Sequence, residues 1–349
     1  MHFRPTHNFL RCLATLILFH LLLVSCGKKE PALIKRTQFL MGTLVEVTVR
    51  TPDAALAQKA IDLAFEEISR VEQLMSTHLP DSEVSKINKA AGADEPVPVS
   101  PEIMESVRRG IHWAELTQGA IDITIGPATA LWNFDDERPS PPESDVLREA
   151  AKLINYKDIS VGEKTLRLNR KGMSLHLGAM GKGYAVDRAV AVLKSSGIKN
   201  GLVNAGGDLM AFGTRDGTQD WHIGLQHPRK PEAMIASLNL SGMAVATSGD
   251  YQRYFIQGGT RYHHILNPQN GQPVRSTISA TVIASSVSDA DALATAVFVL
   301  GSDRGIALID SLDGVEGMVL PKSGIPNFSA GFRSLPGFSF KGFEKPLAQ

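Results

Sequence analysis

Apolar and polar residues alternate from Leu44 to Val49 within QFLMGTLVEVTVR (38–50), the two-residue period of a half-buried strand. Past Thr51-Pro52-Asp53, which offers a helix start, the period lengthens. Ala60, Ala64, Ile68, Val71 and Met75 recur at helical spacing. STHLPDSEVSKIN reads as a loop, and a second helical pattern covers 101–118 and breaks at Gly119. Proline and charge in DERPSPPESD (136–145) mark a surface loop. Short strands are predicted near 166–177, 202–205, 209–213 and 221–225, with a helix over 183–195 that ends at Gly197. More strands fall near 235–240, 252–257 and 278–284, and a last helix over 289–300 stops at Gly301. No repeat and no low-complexity segment interrupts the series. Strands and helices mix without the regular alternation of a doubly wound sheet, so the fold class is α+β.

The N-terminus departs from this pattern. Arg4 and Arg11 precede CLATLILFHLLLV (12–24), a run of 13 residues interrupted by His20. That is too short to span a bilayer comfortably and fits the apolar core of a secretory signal. It ends in Leu23-Val24-Ser25-Cys26, and small residues before a single Cys resemble the lipobox of bacterial lipoproteins. The expectation is a signal over 1–25, acylation of Cys26, and a tether that covers 26–36. The only other cysteine, Cys12, lies in the signal, so the mature chain has no thiol for a disulfide or a metal. Removal of 1–25 also removes two arginines and no acids, which leaves 34 basic against 36 acidic residues, a net charge of −2. No basic excess points to nucleic acid. Overall hydrophobicity of 43% lets the chain bury a core without disulfides.

Four glycine-rich or polar clusters and one acid-led helix start carry candidate chemistry. In LHLGAMGKGYAVD (175–187) a strand runs into Gly178, Gly181 and Gly183, and a helix follows. This suits either a tight turn or close approach of a phosphate to helix N–H groups. It is not a P-loop, because Tyr184 follows Gly183. In VNAGGDLMAFG (203–213) Asn204, Gly206, Gly207 and Asp208 read as a tight turn, either a hairpin or a ligand loop. ATSGDYQRYF (246–255) offers Arg253 to an anion, or is a bulged strand. YHHILNPQNGQPV (262–274) places His263 and His264 beside turns. Finally, SDADALATAVFVLG (288–301) puts two acids ahead of an apolar run. Ser288 as N-cap with Asp291 three residues later explains both acids by helix capping. Alternatively Asp291 and Thr295, four apart on one face, form a hard-oxygen site for Mg²⁺.

Taken in order, MGT, MSTHLPDSEVSKIN, GAIDITIGP, GAMGKGYAVD, NAGGD, ATSGDYQRY, HHILNPQNGQPV and DADALATAVFVLG closely resemble the ApbE family of FAD:protein FMN transferases. The resemblance spans about 37–335, leaving 336–349 as a C-terminal tail. It implies an α+β, T-fold-like domain of mixed antiparallel sheets with packed helices. It implies an enzyme that cleaves FAD, joins FMN by a phosphoester to a Thr or Ser of an acceptor flavoprotein, and releases AMP. By resemblance Met41, His78, Ala120, Ile121, Asp122, His176, Lys182 and Ile265 contact FAD. Mg²⁺ would be held by Asp291, Thr295 and the Ala179 carbonyl, and His264 or Asp291 would take the hydroxyl proton. His176 stands where the family commonly has an acid, His78 where it has Tyr, and Asn267 where it has Asp. FAD pyrophosphatase activity and non-catalytic flavin binding remain alternatives. Implied partners are exported acceptor flavoproteins such as redox-pump subunits, at the periplasmic side of the inner membrane. Gly27 keeps the outer membrane open as a destination.

Overall fold

The computed structural model describes residues 30–342. The signal and Cys26 lie outside the described residues. Eight strands form one sheet whose spatial order is their order in the chain: β1 (Ala32–Leu40), β2 (Thr43–Thr51), β3 (Asn200–Ala205), β4 (Asp208–Phe212), β5 (Met243–Gly249), β6 (Thr277–Ala284), β7 (Glu316–Pro321) and β8 (Asn327–Phe328). Every neighbouring pair is antiparallel. Such a meander needs only tight turns, so the long segments between strands are excursions that return to the sheet. The excursion between β2 and β3 carries α1 (Ala54–Met75), α2 (Pro101–Leu116) and α3 (Gly181–Ser195), and that between β6 and β7 carries α4 (Val287–Asp310).

The two-residue period sorts side chains to two cores. On β4, Met210 and Phe212 join the core shared with the helices, whereas Leu209 and Ala211 join Trp221, Ile223, Leu225 and Leu238 on the other face. The second face is covered by the strands Trp221–His227, Lys230–Leu240 and Ser339–Phe340. Burial on both faces explains why β6, TISATVIA, is buried throughout and does not alternate. A third cluster of Trp132, Leu147, Phe255 and Leu266 holds the first excursion against the 250–275 segment, where Trp132 Nε1 donates to the Gly271 carbonyl at 2.8 Å.

Several elements differ from the expectations. β1 begins at Ala32, inside the segment read as tether, because its outer edge is exposed and has no apolar alternation to reveal it. The loop after α1 contains a short helix, Glu83–Lys89, capped by Ser82, too brief to show a period. Another covers Ser144–Ala151 where proline and charge obscured it. The strand expected over 166–177 is limited to Thr165–Leu168, and Ser339–Phe340, in the expected tail, pairs with Ala236 and Ser237. α4 has the length and hydropathy of a membrane span. Its Ala292, Leu293, Val297 and Phe298 are instead fully buried in the core that the helices share with the sheet.

Gly301 interrupts α4 with φ 77° and ψ −172°, after which helix resumes to Asp310. Side chains other than glycine are strained there by about 1–3 kcal/mol. Gly301→Ala is therefore expected to lower unfolding stability by about that amount, read as a shifted urea midpoint at constant slope. An unchanged midpoint would mean that the kink relaxes freely.

Candidate active site

Three charged groups from three elements meet beside the glycine-rich turn. Asp208 opens β4, Lys182 lies in the first turn of α3, and Asp291 lies in the second turn of α4. The Lys182 ammonium bonds the Asp208 carboxylate and sits 3.4 Å from both oxygens of Asp291. Both acids are buried, while the lysine side chain is 29% exposed and so opens the cluster to solvent. Burial and the charge of Asp291 push the Asp208 carboxyl up to about 7, against the pull of Lys182. Burial alone would lower Lys182, but the two carboxylates hold it above its ordinary range. The sequence reading placed Asp208 in a turn. The turn exists, with Gly206 and Gly207 at φ 63° and 104°, but Asp208 leaves it pointing under Lys182.

The two acids at the start of the last helix have separate work, unlike the expected Ser288–Asp291 cap. Ser286 is the N-cap, accepting from Asp289 N–H at 3.2 Å, and its hydroxyl donates to Asp289 Oδ2 at 2.7 Å. Asp289 also accepts from Arg109 Nε (3.0 Å) and Trp113 Nε1 (3.1 Å), which ties α4 to α2. Asp291 takes no part in the cap. Its Oδ2 accepts from Gly183 N–H at 3.1 Å. One turn further, Thr295 Oγ1 lies 3.1 Å from Ser248 Oγ.

The glycines of 178–183 answer three different demands. A Cβ on Gly183 would lie 2.4 Å from the Val287 carbonyl oxygen, so that position serves contact between α3 and α4 and not a ligand. A Cβ on Gly178 would strike the His176 ring at 2.4 Å. Only Gly181 faces space, with nothing nearer than Met41 Cε at 3.9 Å. Met41 (φ 54°) and Gln118 (φ 54°) are the non-glycine residues with positive φ among those described. One is itself an expected flavin contact and the other leads into Ala120, Ile121 and Asp122. Strain of this kind gathers at functional sites.

The histidines separate by their partners. His263 is buried, its Nε2 bonds the Val274 carbonyl at 2.6 Å, and its Nδ1 accepts from Ile265 N–H at 3.3 Å, so both nitrogens are committed to the fold. His264 Nδ1 lies 3.3 Å from the Arg253 carbonyl, which can only accept, so Nδ1 carries the proton and Nε2 the lone pair. Burial, His263 and Lys182 push His264 down to about 3 and keep it neutral. His176 is held near 4 by burial and by the charges of His78 and Arg253. His78 itself is exposed, and Ile265 is buried. Asp122 is turned inward, accepting from Thr124 N–H (2.8 Å) and Thr124 Oγ1 (2.7 Å) on one oxygen and from Tyr156 N–H (2.9 Å) on the other. Its carboxylate thus shapes its loop. Asn267 does the work of a turn without charge, its Oδ1 accepting from Gln269 N–H at 3.0 Å.

Among the described residues no three His, Cys, Asp or Glu gather as a metal site. A cation here would rely on hydroxyl and carbonyl oxygens beside Asp291. The donors fit. Asp291 and Thr295 lie one turn apart on α4, and Ala179 lies just ahead of α3, whose first-turn Gly183 N–H is taken up by Asp291. All the donors are hard oxygens, and two buried carboxylates against one ammonium leave negative charge for a cation to offset.

The ApbE family pattern matches residues 41–319. The chain is 33% identical over 345 residues to a Vibrio cholerae FAD:protein FMN transferase, covering 96% of this chain and 98% of that one. It is 32% identical over 318 residues to a Treponema pallidum FAD:protein FMN transferase, at 85% and 87% coverage. The crystal structure of the ApbE protein of Thermotoga maritima superposes with a TM-score of 0.81 at 32% identity, over 87% of this chain and 99% of that one.

Two substitutions separate the roles of the glycines. Gly181→Val fills the open space beside Met41 and is expected to weaken FAD binding, read by flavin fluorescence, with the melting temperature near wild type. Gly183→Ala drives a methyl into the Val287 carbonyl and is expected to cost about 1–3 kcal/mol of stability. Unchanged FAD affinity in a folded Gly181→Val protein would make that turn purely structural.

Proposed function

The chain belongs to the ApbE family of flavin transferases, and from that premise we propose a Mg²⁺-dependent reaction that moves FMN from FAD to a Thr or Ser hydroxyl of an acceptor flavoprotein. The observation that carries the reading is the Asp208–Lys182–Asp291 cluster, which opens to solvent through Lys182 and adjoins the Gly181 turn, where a Cβ would meet nothing nearer than Met41 Cε at 3.9 Å. Backbone at Gly181 lets the FAD pyrophosphate approach, and Lys182 supplies a positive group to it. Asp291, Thr295 and the Ala179 carbonyl are the residues that would hold Mg²⁺. When bound it would supply positive charge against the charge that builds on the departing group.

In the reaction the acceptor oxygen forms a bond to the FMN phosphorus. The bond from that phosphorus to the bridging oxygen breaks, and AMP leaves with the bridging oxygen and its electron pair. The hydroxyl proton passes to His264 Nε2, whose lone pair is oriented by the Nδ1 contact to Arg253. A pyrophosphate alongside raises the basicity of this otherwise weakly basic imidazole. His176 and His78 offer rings to the flavin or adenine, and Met41, Ala120, Ile121 and Ile265 offer apolar surface. We place the protein at a membrane surface, anchored through lipidated Cys26 and acting on exported acceptors.

Incubation with FAD and Mg²⁺, with and without an acceptor protein, tests the reading by mass spectrometry. Added FMN mass on the acceptor is expected, and free FMN at equal rates in both tubes would mean hydrolysis instead. Asp291→Asn is expected to lower transfer by about 10²-fold or more, the scale of losing one charge-stabilising group, with melting temperature little changed. Thr295→Val should lose less and recover in part at high Mg²⁺. Asp289→Asn should lower stability by about 1–3 kcal/mol through its contacts to Arg109 and Trp113, with kcat near wild type. Equal activity losses in Asp289→Asn and Asp291→Asn would place the metal elsewhere. Cys26→Ser should release the protein from membranes; wild-type membrane fractionation and size would overturn the anchor.

A further inference from the structure

The start of α4 is capped from two sides, and one cap comes from the helix that carries Lys182. Asp187 on α3 accepts from Val287 N–H at 2.9 Å through Oδ1. Through Oδ2 it accepts from Ser288 N–H at 2.9 Å and from Ser288 Oγ at 2.6 Å. One turn earlier on α3, Gly183 meets the same part of α4. A Cβ there would lie 2.4 Å from the Val287 oxygen and 2.8 Å from Ser288 Cα, and the Gly183 N–H donates to Asp291 Oδ2 at 3.1 Å. Residues 183 and 187 share a face of α3, and 287, 288 and 291 share a face of α4. The helices are thus joined at two points one turn apart, and the Asp291 carboxylate is one of them.

Part of the work of Asp187 is capping: Ser286 takes only the Asp289 N–H, and Asp187 takes the two donors before it, Val287 N–H and Ser288 N–H. Unlike the cap from Ser286, this one comes from another helix, so it also fixes where α4 starts relative to α3. Asp187 adds register between α3 and α4. We propose that Asp187 is a positioning residue that keeps Asp291 and Thr295 aligned with Lys182 and the Gly181 turn, and so sets how well the site holds Mg²⁺. It acts through Val287 and Ser288 and touches no substrate. Displacement of α4 by about 1 Å moves Asp291 away from both Gly183 N–H and Lys182, and errors of that size are costly in catalytic sites. The inference rests on the flavin-transfer reading of the site.

The test uses the purified full chain and four variants: Asp187→Asn, Asp187→Ala, Ser288→Ala and Ser286→Ala. Three quantities are read: the Mg²⁺ concentration that gives half of the Mg²⁺-induced rise in melting temperature without FAD, and kcat and KM for FAD in transfer. Asp187→Asn turns an amide against a backbone N–H. It is expected to raise the Mg²⁺ midpoint by about 10–100-fold, the scale of losing a group that orients a metal ligand, and to lower kcat with little change in KM. Asp187→Ala should do at least as much. Ser288→Ala loses only the hydroxyl bond and should shift the midpoint in the same direction by less. Ser286→Ala loses a cap on the same helix without loosening α3 from α4, so it should lower the melting temperature and leave the Mg²⁺ midpoint in place. Wild-type midpoints in Asp187→Asn and Ser288→Ala overturn the proposal, as does an equal shift in Ser286→Ala. If neither Asp187 variant folds, Ser288→Ala decides. A wild-type protein that transfers no FMN sinks the functional reading while the melting midpoints still test positioning; no Mg²⁺ effect on wild-type melting overturns positioning itself.

Discussion

The contact between Lys182 and the two buried carboxylates of Asp208 and Asp291 is the constraint around which the domain is arranged. Two carboxylates removed from water repel each other and lose hydration, and one ammonium offsets only part of that cost. Neither acid would stay buried in that neighbourhood on its own, which is why the fold brings in its partners from separate elements. Asp208 comes from the start of β4, Lys182 from α3 and Asp291 from α4. The meander supplies a frame in which these three meet, because each excursion leaves and re-enters the sheet at a fixed strand. The β3–β4 turn adds to this frame. Gly206 N–H donates to the Leu44 carbonyl at 3.2 Å, and a Cβ on Gly206 would meet Thr43 Oγ1 at 2.5 Å, so the turn that releases Asp208 is seated on the hairpin that carries Met41.

Much of this was legible in the sequence wherever a period was long or a turn residue was required. The α1 stripe and the stop at Gly197 (φ 90°) appear in the structure, whereas the stop expected at Gly301 (φ 77°) is a kink after which helix resumes to Asp310. β7 gives no strand signal, and β5 is met only by the bulged-strand alternative for 246–255, because neither carries a clean alternation: β5 is rich in small residues buried on both faces. The cap of α4 was assigned to the wrong pair for a related reason. Ser288 and Asp291 satisfy the three-residue spacing of a capping box, and so do Ser286 and Asp289. Spacing cannot choose between two overlapping boxes, whereas the partners Arg109, Trp113 and Asp187, far off in the chain, do choose.

The site was legible as a set of clusters but not as a geometry. His263 and His264 are adjacent and chemically equal in the sequence. In space the former is tied at both nitrogens and the latter keeps a lone pair. The three glycines at 178, 181 and 183 look alike as a phosphate cradle, and only what a Cβ would strike distinguishes them. Asp208 was hidden for the opposite reason, since Gly-Gly-Asp is ordinary turn chemistry and gives no sign that the acid is buried under a lysine from α3.

The charge count of the cluster also bears on the reaction proposed for it. Asp208, Asp291 and Lys182 sum to one negative charge when all are ionised. A pyrophosphate brought to the Gly181 turn adds two more, in a place where burial has already raised the cost of charge on Asp208. Lys182 cannot offset that alone, because it is already shared by two acids. In the proposed reaction a divalent cation beside Asp291 would return the sum to its starting value, so that substrate and metal would enter with compensating charge. On this reading the two acids ahead of the last apolar run divide the labour. Asp289 secures the start of α4, and Asp291, freed from capping, leaves its charge for the cation that a pyrophosphate requires.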